Sequence, residues 1–189
     1  MERIAVVFAV SPEGAGMSAA VWFIAGNLQL ILVVIAIAVT IVKVRRARAH
    51  HWVVTPSYIL WSEVIFYAVG LGFLWFGLMH AFNGPFSASL IGWRSSPFQW
   101  ELAWGELGLS LVALISLRRG YEMRLAVSLI YAVFSFGAAA QHIQQMACCA
   151  NYSSGNAGIV LWFGDLALPA FILLLAYLAR DADERTRRL

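Results

Sequence analysis

Apolar stretches of membrane length alternate along this chain with short turns that carry nearly all of its charge. The apolar runs fill about 17–44, 55–82, 97–117, 125–147 and 159–179. A helix needs roughly 20 apolar residues to cross the hydrocarbon core of a bilayer, so the pattern predicts five transmembrane helices. No Gly/Ser-rich, Pro-rich or acidic tract divides them, and the chain reads as one domain, 1–189. The predicted fold is all-α: a polytopic membrane protein in which helices two to five form an antiparallel four-helix bundle.

Composition sharpens this picture. Hydrophobic residues make up 61% and charged residues 12% of the 189, with a mean hydropathy of +0.77, about half the charge of a soluble domain. Of the 13 Lys and Arg, all but Arg3 and Arg94 lie in three clusters: Lys43 to Arg48, Arg118 to Arg124, and Arg180 to Arg188. The clusters follow spans one, three and five, so the positive-inside rule places them in the cytoplasm, with the N-terminus outside and the C-terminus inside. Residues 1–16 then form a short external segment and 180–189 a cytoplasmic tail, in a multi-pass protein of the cell (inner, cytoplasmic) membrane. Trp22, Trp93, Trp100 and Trp162 read as an outer aromatic belt, and Trp52, Trp61 and Tyr177 as an inner one. The bilayer is the partner this composition demands. A homo-oligomer or a membrane-protein partner is open, and nothing points to nucleic acid.

The polar residues inside the spans carry the candidate chemistry. Asn27 and Gln29 on span one read as packing amides. On span two, Glu63 and His80 are about 100° apart around the axis and serve separate contacts. The outer turn "HAFNGPFSASLIGWRSSPFQWE" breaks the helix at Gly84 and Pro85 and offers a short interfacial helix with Leu90, Ile91 and Trp93 toward lipid. Ser96, Pro97 and Gln99 have the spacing of a capping box. Glu101 shares a stripe with Gly105 and Gly108, a seam for close packing, and Ser110 is the local neighbour of Glu106. On span four Ser135, Ala138 and Ala139 precede His142, with Gln145 on the same side. On span five Pro169 follows Asp165 by four residues, which deprives the Asp165 carbonyl of its usual donor.

His80, Glu101, His142 and Asp165 thus come one from each of spans two to five, all near the outer end. An acid at mid-bilayer costs about 2.5–3.5 kcal/mol, so such groups must face protein, water or ligand. A His–carboxylate layer can exchange a proton or hold a metal jointly. The four are therefore candidate ligands for a divalent metal ion, and with Gln99 and Gln145 candidate ligand- or proton-binding residues; catalytic residues cannot be named. A hydrogen-bonded network that only fixes helix register competes with this reading on even terms. Cys148 and Cys149 leave open a vicinal bridge, an intermolecular bridge or two free thiols. With His142 and Met146 they could hold a soft ion such as Cu(I), although incidental loop cysteines explain them more simply.

"HAFNGPFSASLIGW", "SPFQWE", "GAAAQHIQQM" and "GNAG" resemble a family of small bacterial and archaeal membrane proteins defined only as a domain of unknown function, itself similar at a distance to DoxX-like proteins. The likeness rests on Ile91, Gly92, Trp93, Ser96, Pro97, Phe98, Gln99, Glu101, His142 and Asn156; Arg94 and the paired cysteines stand outside it. It implies the architecture and marks the outer turn without implying an activity. No phosphate loop, dinucleotide fingerprint, nucleophile elbow or zinc-protease helix occurs, which weighs against soluble-type enzymology. Three functions fit: a polar outer-leaflet site for a metal ion, redox cofactor or proton-coupled small solute; a non-catalytic accessory or scaffold subunit; and a small proton-coupled transporter.

Overall fold

The computed structural model describes residues 19–187; the predicted external segment 1–16 lies outside them. The described chain is all-helical. Helix α1 (Ala19–Ala49) is followed by α2 (Pro56–Val64), which passes through a π-wound segment (Ile65–Leu71) into α3 (Gly72–Leu90). Then come α4 (Phe98–Ser116), α5 (Tyr121–Cys149), a single turn α6 (Ser154–Ala157), a second π-wound segment (Val160–Ala167) and α7 (Leu168–Arg187). Local sequence sets these boundaries. Thr55 is extended ahead of Pro56 at the first helical position, where a missing N–H costs nothing. Helix α5 ends where Ala150 turns left-handed and returns its N–H to the Gln145 carbonyl.

Among the described residues four helices are long and apolar enough to cross a membrane: Gly26–Ala49, Pro56–Leu90, Tyr121–Cys149 and Ser154–Arg180. They fit a multi-pass membrane protein. Helix α4, the third predicted span, falls short because Gln99, Glu101 and Glu106 dilute its first half. It lies antiparallel along α3, with Gly84 near Gln99, Gly77 against Ala103 and Leu107, and Gly70 against Leu114. A Cβ on Gly77 would stand 2.7 Å from Leu107 and 3.1 Å from the Ala103 carbonyl. Only a glycine allows that approach, and close backbone approach is what holds helices together where lipid is as apolar as the side chains.

Helix α1 is part of the body of the molecule and packs on α2 and on both π-wound segments. Its Val33 and Ala36 enter the core with Trp61, Ile65, Phe73, Tyr131 and Ile172. Trp61 is 0% exposed and donates to the Ser128 hydroxyl at 3.1 Å, so it is a core residue and no part of an aromatic belt. Trp52, Trp100, Trp162 and Tyr177 are exposed.

Each π-wound segment leaves a glycine carbonyl for a hydroxyl on another helix. Ser110 donates to Gly70 at 2.7 Å, and is therefore not the partner of Glu106. Tyr131 donates to Gly164 at 3.1 Å. The second case follows from Pro169. A π turn pairs each N–H with the carbonyl five residues back, and Leu168 bonds Phe163 in this way. In that register the carbonyl deprived by Pro169 is that of Gly164, where the sequence alone pointed to Asp165.

Candidate functional site

Two hairpins meet near the end of the molecule opposite the basic clusters. In the first, α3 kinks at Asn83 (φ −143°, ψ 45°), two residues before Pro85, and resumes as a helical turn. Leu90, Ile91 and Trp93 beyond it point into the molecule and line a cavity, the reverse of the predicted lipid-facing placement. Gly92 has φ +69°, and a Cβ there would meet Ser153 Oγ at 2.8 Å and Asn151 Oδ1 at 2.9 Å. That contact is the clasp between the hairpins: Asn151 Nδ2 and Ser153 Oγ both donate to the Ile91 carbonyl at 3.0 Å.

Asn156, 0% exposed, is the hub of this clasp. Its Oδ1 accepts from Trp93 Nε1 at 2.9 Å and lies 2.8 Å from His142 Nδ1. Its Nδ2 donates to the carbonyls of His142 at 3.2 Å and Asn151 at 2.9 Å. Two carbonyls on one side and an indole N–H on the other fix which way the amide points. His142 must then carry its proton on Nδ1, which leaves Nε2 as the free nitrogen of the neutral ring. That nitrogen faces Asp165 Oδ2 at 3.5 Å. The separation is within ion-pair range but outside hydrogen-bond geometry, and Asp165 Oδ2 is buried without a hydrogen-bond partner among the described residues.

The other hairpin supplies a second pair. His80 Nδ1 and Glu106 Oε2 are 2.6 Å apart, and Glu106 is only 4% exposed. Both pairs line one cavity of about 430 Å³ bounded by α1, α3, α4, α5 and the second π-wound segment. Phe73, Phe76, Phe134 and Phe163 form apolar walls, while Asn27, Gln29 and Gln141 add amide groups. Asn27 returns its own Nδ2 to the Phe23 carbonyl at 2.8 Å. The Gln29 amide lies hard against Gly164, where any larger residue would displace it. Trp75 and Gly137 are exposed yet line the cavity, so its mouth opens on the flank of the bundle.

A protein-family model matches residues 26–185 of the chain. The chain belongs to DUF6790, a family of unknown function. Neither the curated proteins nor the solved structures contain a match to it.

Of the six residues singled out in this DUF6790 chain from sequence, His80, His142 and Asp165 line the cavity and the others do not. Glu101 is exposed on α4, together with Gly105 and Gly108. A Cβ on either glycine would meet nothing within 4 Å, so this stripe is an outer face and not a packing seam. Gln99 forms no capping box: Pro97 caps α4 without a side-chain bond, and Gln99 Oε1 is buried without a partner. Gln145 serves through its backbone carbonyl at the end of α5. Among the described residues no three His, Cys, Asp or Glu side chains converge as metal ligands, which leaves the four-ligand metal site without support. Cys148 and Cys149 are joined as a vicinal disulfide.

Glu106 and Asn156 are the residues that sequence reasoning left without a role in the site. A signal for Glu106 existed: His80 and Glu106 each stand thirteen residues from Trp93, as the two strands of an antiparallel helical hairpin require for groups at one depth.

Proposed function

We propose that this DUF6790 protein is a multi-pass protein of the cytoplasmic membrane that binds a lipid-soluble, ring-containing molecule with hydrogen-bonding oxygens, in the cavity between its two hairpins. Five crossings are part of this reading, with the N-terminus outside and the C-terminus inside. Helix α4, 19 residues and thus about 28 Å long, follows α3 through the same depth and separates Arg118 and Arg119 from the outer turn.

The observation that carries the proposal is that two His–carboxylate pairs on different helices line one apolar cavity of about 430 Å³, one of them with an unpartnered oxygen. Apolar walls with a few convergent polar groups are the usual make-up of small-molecule sites. The mouth on the flank suits a ligand that arrives through lipid. At the inner wall Nε2 of His142 and Oδ2 of Asp165 compete for one proton. With Asp165 protonated the site offers an O–H; with His142 doubly protonated it offers an N–H beside a carboxylate. Either state presents a donor to a carbonyl or hydroxyl of the ligand. His80, backed by Glu106, offers a second polar contact, so that a molecule with oxygens on opposite edges of a ring can be held at both.

Gly137 provides the test. A side chain there meets no atom within 4 Å at its Cβ and grows into the cavity mouth. Wild-type protein and Gly137→Leu, purified in mild detergent and extracted with organic solvent, are compared by mass spectrometry. A compound carried by the wild type and missing from the variant is the expected result. Identical extracts from two folded proteins would refute the proposal.

A further inference from the structure

A second pocket lies at the basic end of the molecule, far from both His–carboxylate pairs. It has a volume of about 490 Å³ and is walled by Val39 and Lys43 of α1, Ser62 and Glu63 of α2, Phe66 and Tyr67 of the first π-wound segment, Leu117, and Arg124. Arg124 stands apart from the other basic residues of this end. Arg118 and Arg119 are exposed, as the positive-inside pattern requires, whereas Arg124 is only 7% exposed.

Protein contacts account for part of the Arg124 guanidinium. One nitrogen donates to the Leu117 carbonyl at 3.0 Å, and the carbon of the group sits 4.7 Å from the centre of the Tyr58 ring. Its Nε and Nη1 are buried and have no hydrogen-bond partner among the described residues. Among the described residues no carboxylate pairs with Arg124. The nearest acid on the pocket wall, Glu63, is held by Lys43 Nζ at 2.6 Å. Arg124 also occupies the first turn of α5, where the helix dipole disfavours a cation. A buried charge in an unfavourable field with two donors idle calls for an anion that the described side chains do not supply.

We propose that this pocket binds a phosphate group, with the planar fork of Arg124 as the principal ligand and Lys43 as the second cation. Arginine holds tetrahedral oxyanions through paired N–H donors, and stacking on Tyr58 fixes the plane of the fork in advance. The Lys43 side chain, 55% exposed, is the movable wall: it can swing from Glu63 to the incoming anion and uncover the guanidinium edge. The phosphate belongs either to the headgroup of an anionic lipid, whose acyl chains run along the adjoining apolar helices, or to free inorganic phosphate.

The test uses the full chain in mild detergent, by native mass spectrometry and thermal unfolding, with three probes: phosphatidylglycerol, phosphatidylcholine and inorganic phosphate. The wild type is expected to retain phosphatidylglycerol over phosphatidylcholine by roughly tenfold or more, the size of a charge-assisted hydrogen bond. Arg124→Gln should abolish that preference, while Arg118→Gln/Arg119→Gln, which removes two exposed charges from the same end, should keep it. Stabilisation by inorganic phosphate that Arg124→Gln removes would identify the free anion as the source. Equal losses in Arg124→Gln and the Arg118/Arg119 variant would mean a diffuse surface attraction and overturn the proposal. Should Arg124→Gln not fold, Arg124→Lys keeps the charge without the fork and must still lower the preference. A wild type indifferent to all three probes overturns the proposal outright.

Discussion

Replacing Asn156 by alanine tests the central feature of the outer clasp. The substitution removes four hydrogen bonds and leaves three groups without a partner: the indole N–H of Trp93, the Nδ1–H of His142 and the carbonyl of Asn151; the His142 carbonyl, inside α5, keeps its helical bond. The Nδ1–H of His142 is buried, and a buried polar group left unpaired costs about 1–3 kcal/mol. The groups on Trp93 and Asn151 are part-buried and can turn to water at a cost of up to about 1 kcal/mol each. The sum is about 1–5 kcal/mol. At roughly 2–4 °C per kcal/mol for a chain of this size, Asn156→Ala should lower the midpoint of thermal unfolding by roughly 2–20 °C, followed by intrinsic tryptophan fluorescence in mild detergent. Asn156→Asp keeps the acceptor for Trp93 and His142 but sets an oxygen against the two carbonyls, so it should lose at least as much. A fall of under about 2 °C for Asn156→Ala would refute the reasoning, because it would mean that none of the four bonds bears on stability and that the His142 proton is not held in place by the amide.

Further outcomes follow from other contacts. Glu101→Gln, on the exposed face of α4, should change stability by no more than about 0.5 kcal/mol, whereas Glu106→Ala should cost about 2–4 kcal/mol through the orphaned His80; parallel thermal melts separate the two. Tyr131→Phe removes the hydroxyl that serves the Gly164 carbonyl and should cost about 1–2 kcal/mol, read as a lowered melting midpoint. Gly77→Val, driven into Leu107 and the Ala103 carbonyl, should cost about 1–3 kcal/mol and loosen the α3–α4 hairpin, detected as faster amide exchange in both helices.

Polarity along the chain was enough to reveal the helices and to single out His80, His142 and Asp165, which line one cavity. The position of a residue around its helix was less accessible. A regular advance of about 100° per residue set Glu101 beside two glycines and Glu106 elsewhere. It could not say which side α3 would occupy; α3 chose the face with Glu106 and left Gly105 and Gly108 outside. Span two is not uniform, since a π-wound stretch lies between Glu63 and His80, and nothing in "IFYAVGL" announces it. The role of Asn156 depends on Trp93, sixty-three residues earlier, a pairing that helical periodicity does not encode. The packing of α1 against the core was hidden for a different reason: a helix surrounded by lipid and one that lends a single side to a core are equally apolar.

The π-wound stretches have a consequence for how this chain can vary. A π turn takes up one more residue than an α turn, so everything beyond it is rotated by about 100° relative to what lies before. Below Ile65 the helix directs Glu63 to Lys43, and above Leu71 it directs His80 to Glu106. Excision of a single residue between Ile65 and Leu71 would preserve composition, apolar length and membrane insertion, yet swing the imidazole away from its carboxylate. The two ends of one rod are indexed independently by a single residue, and the indel, more than the substitution, is the change to which this protein is most exposed.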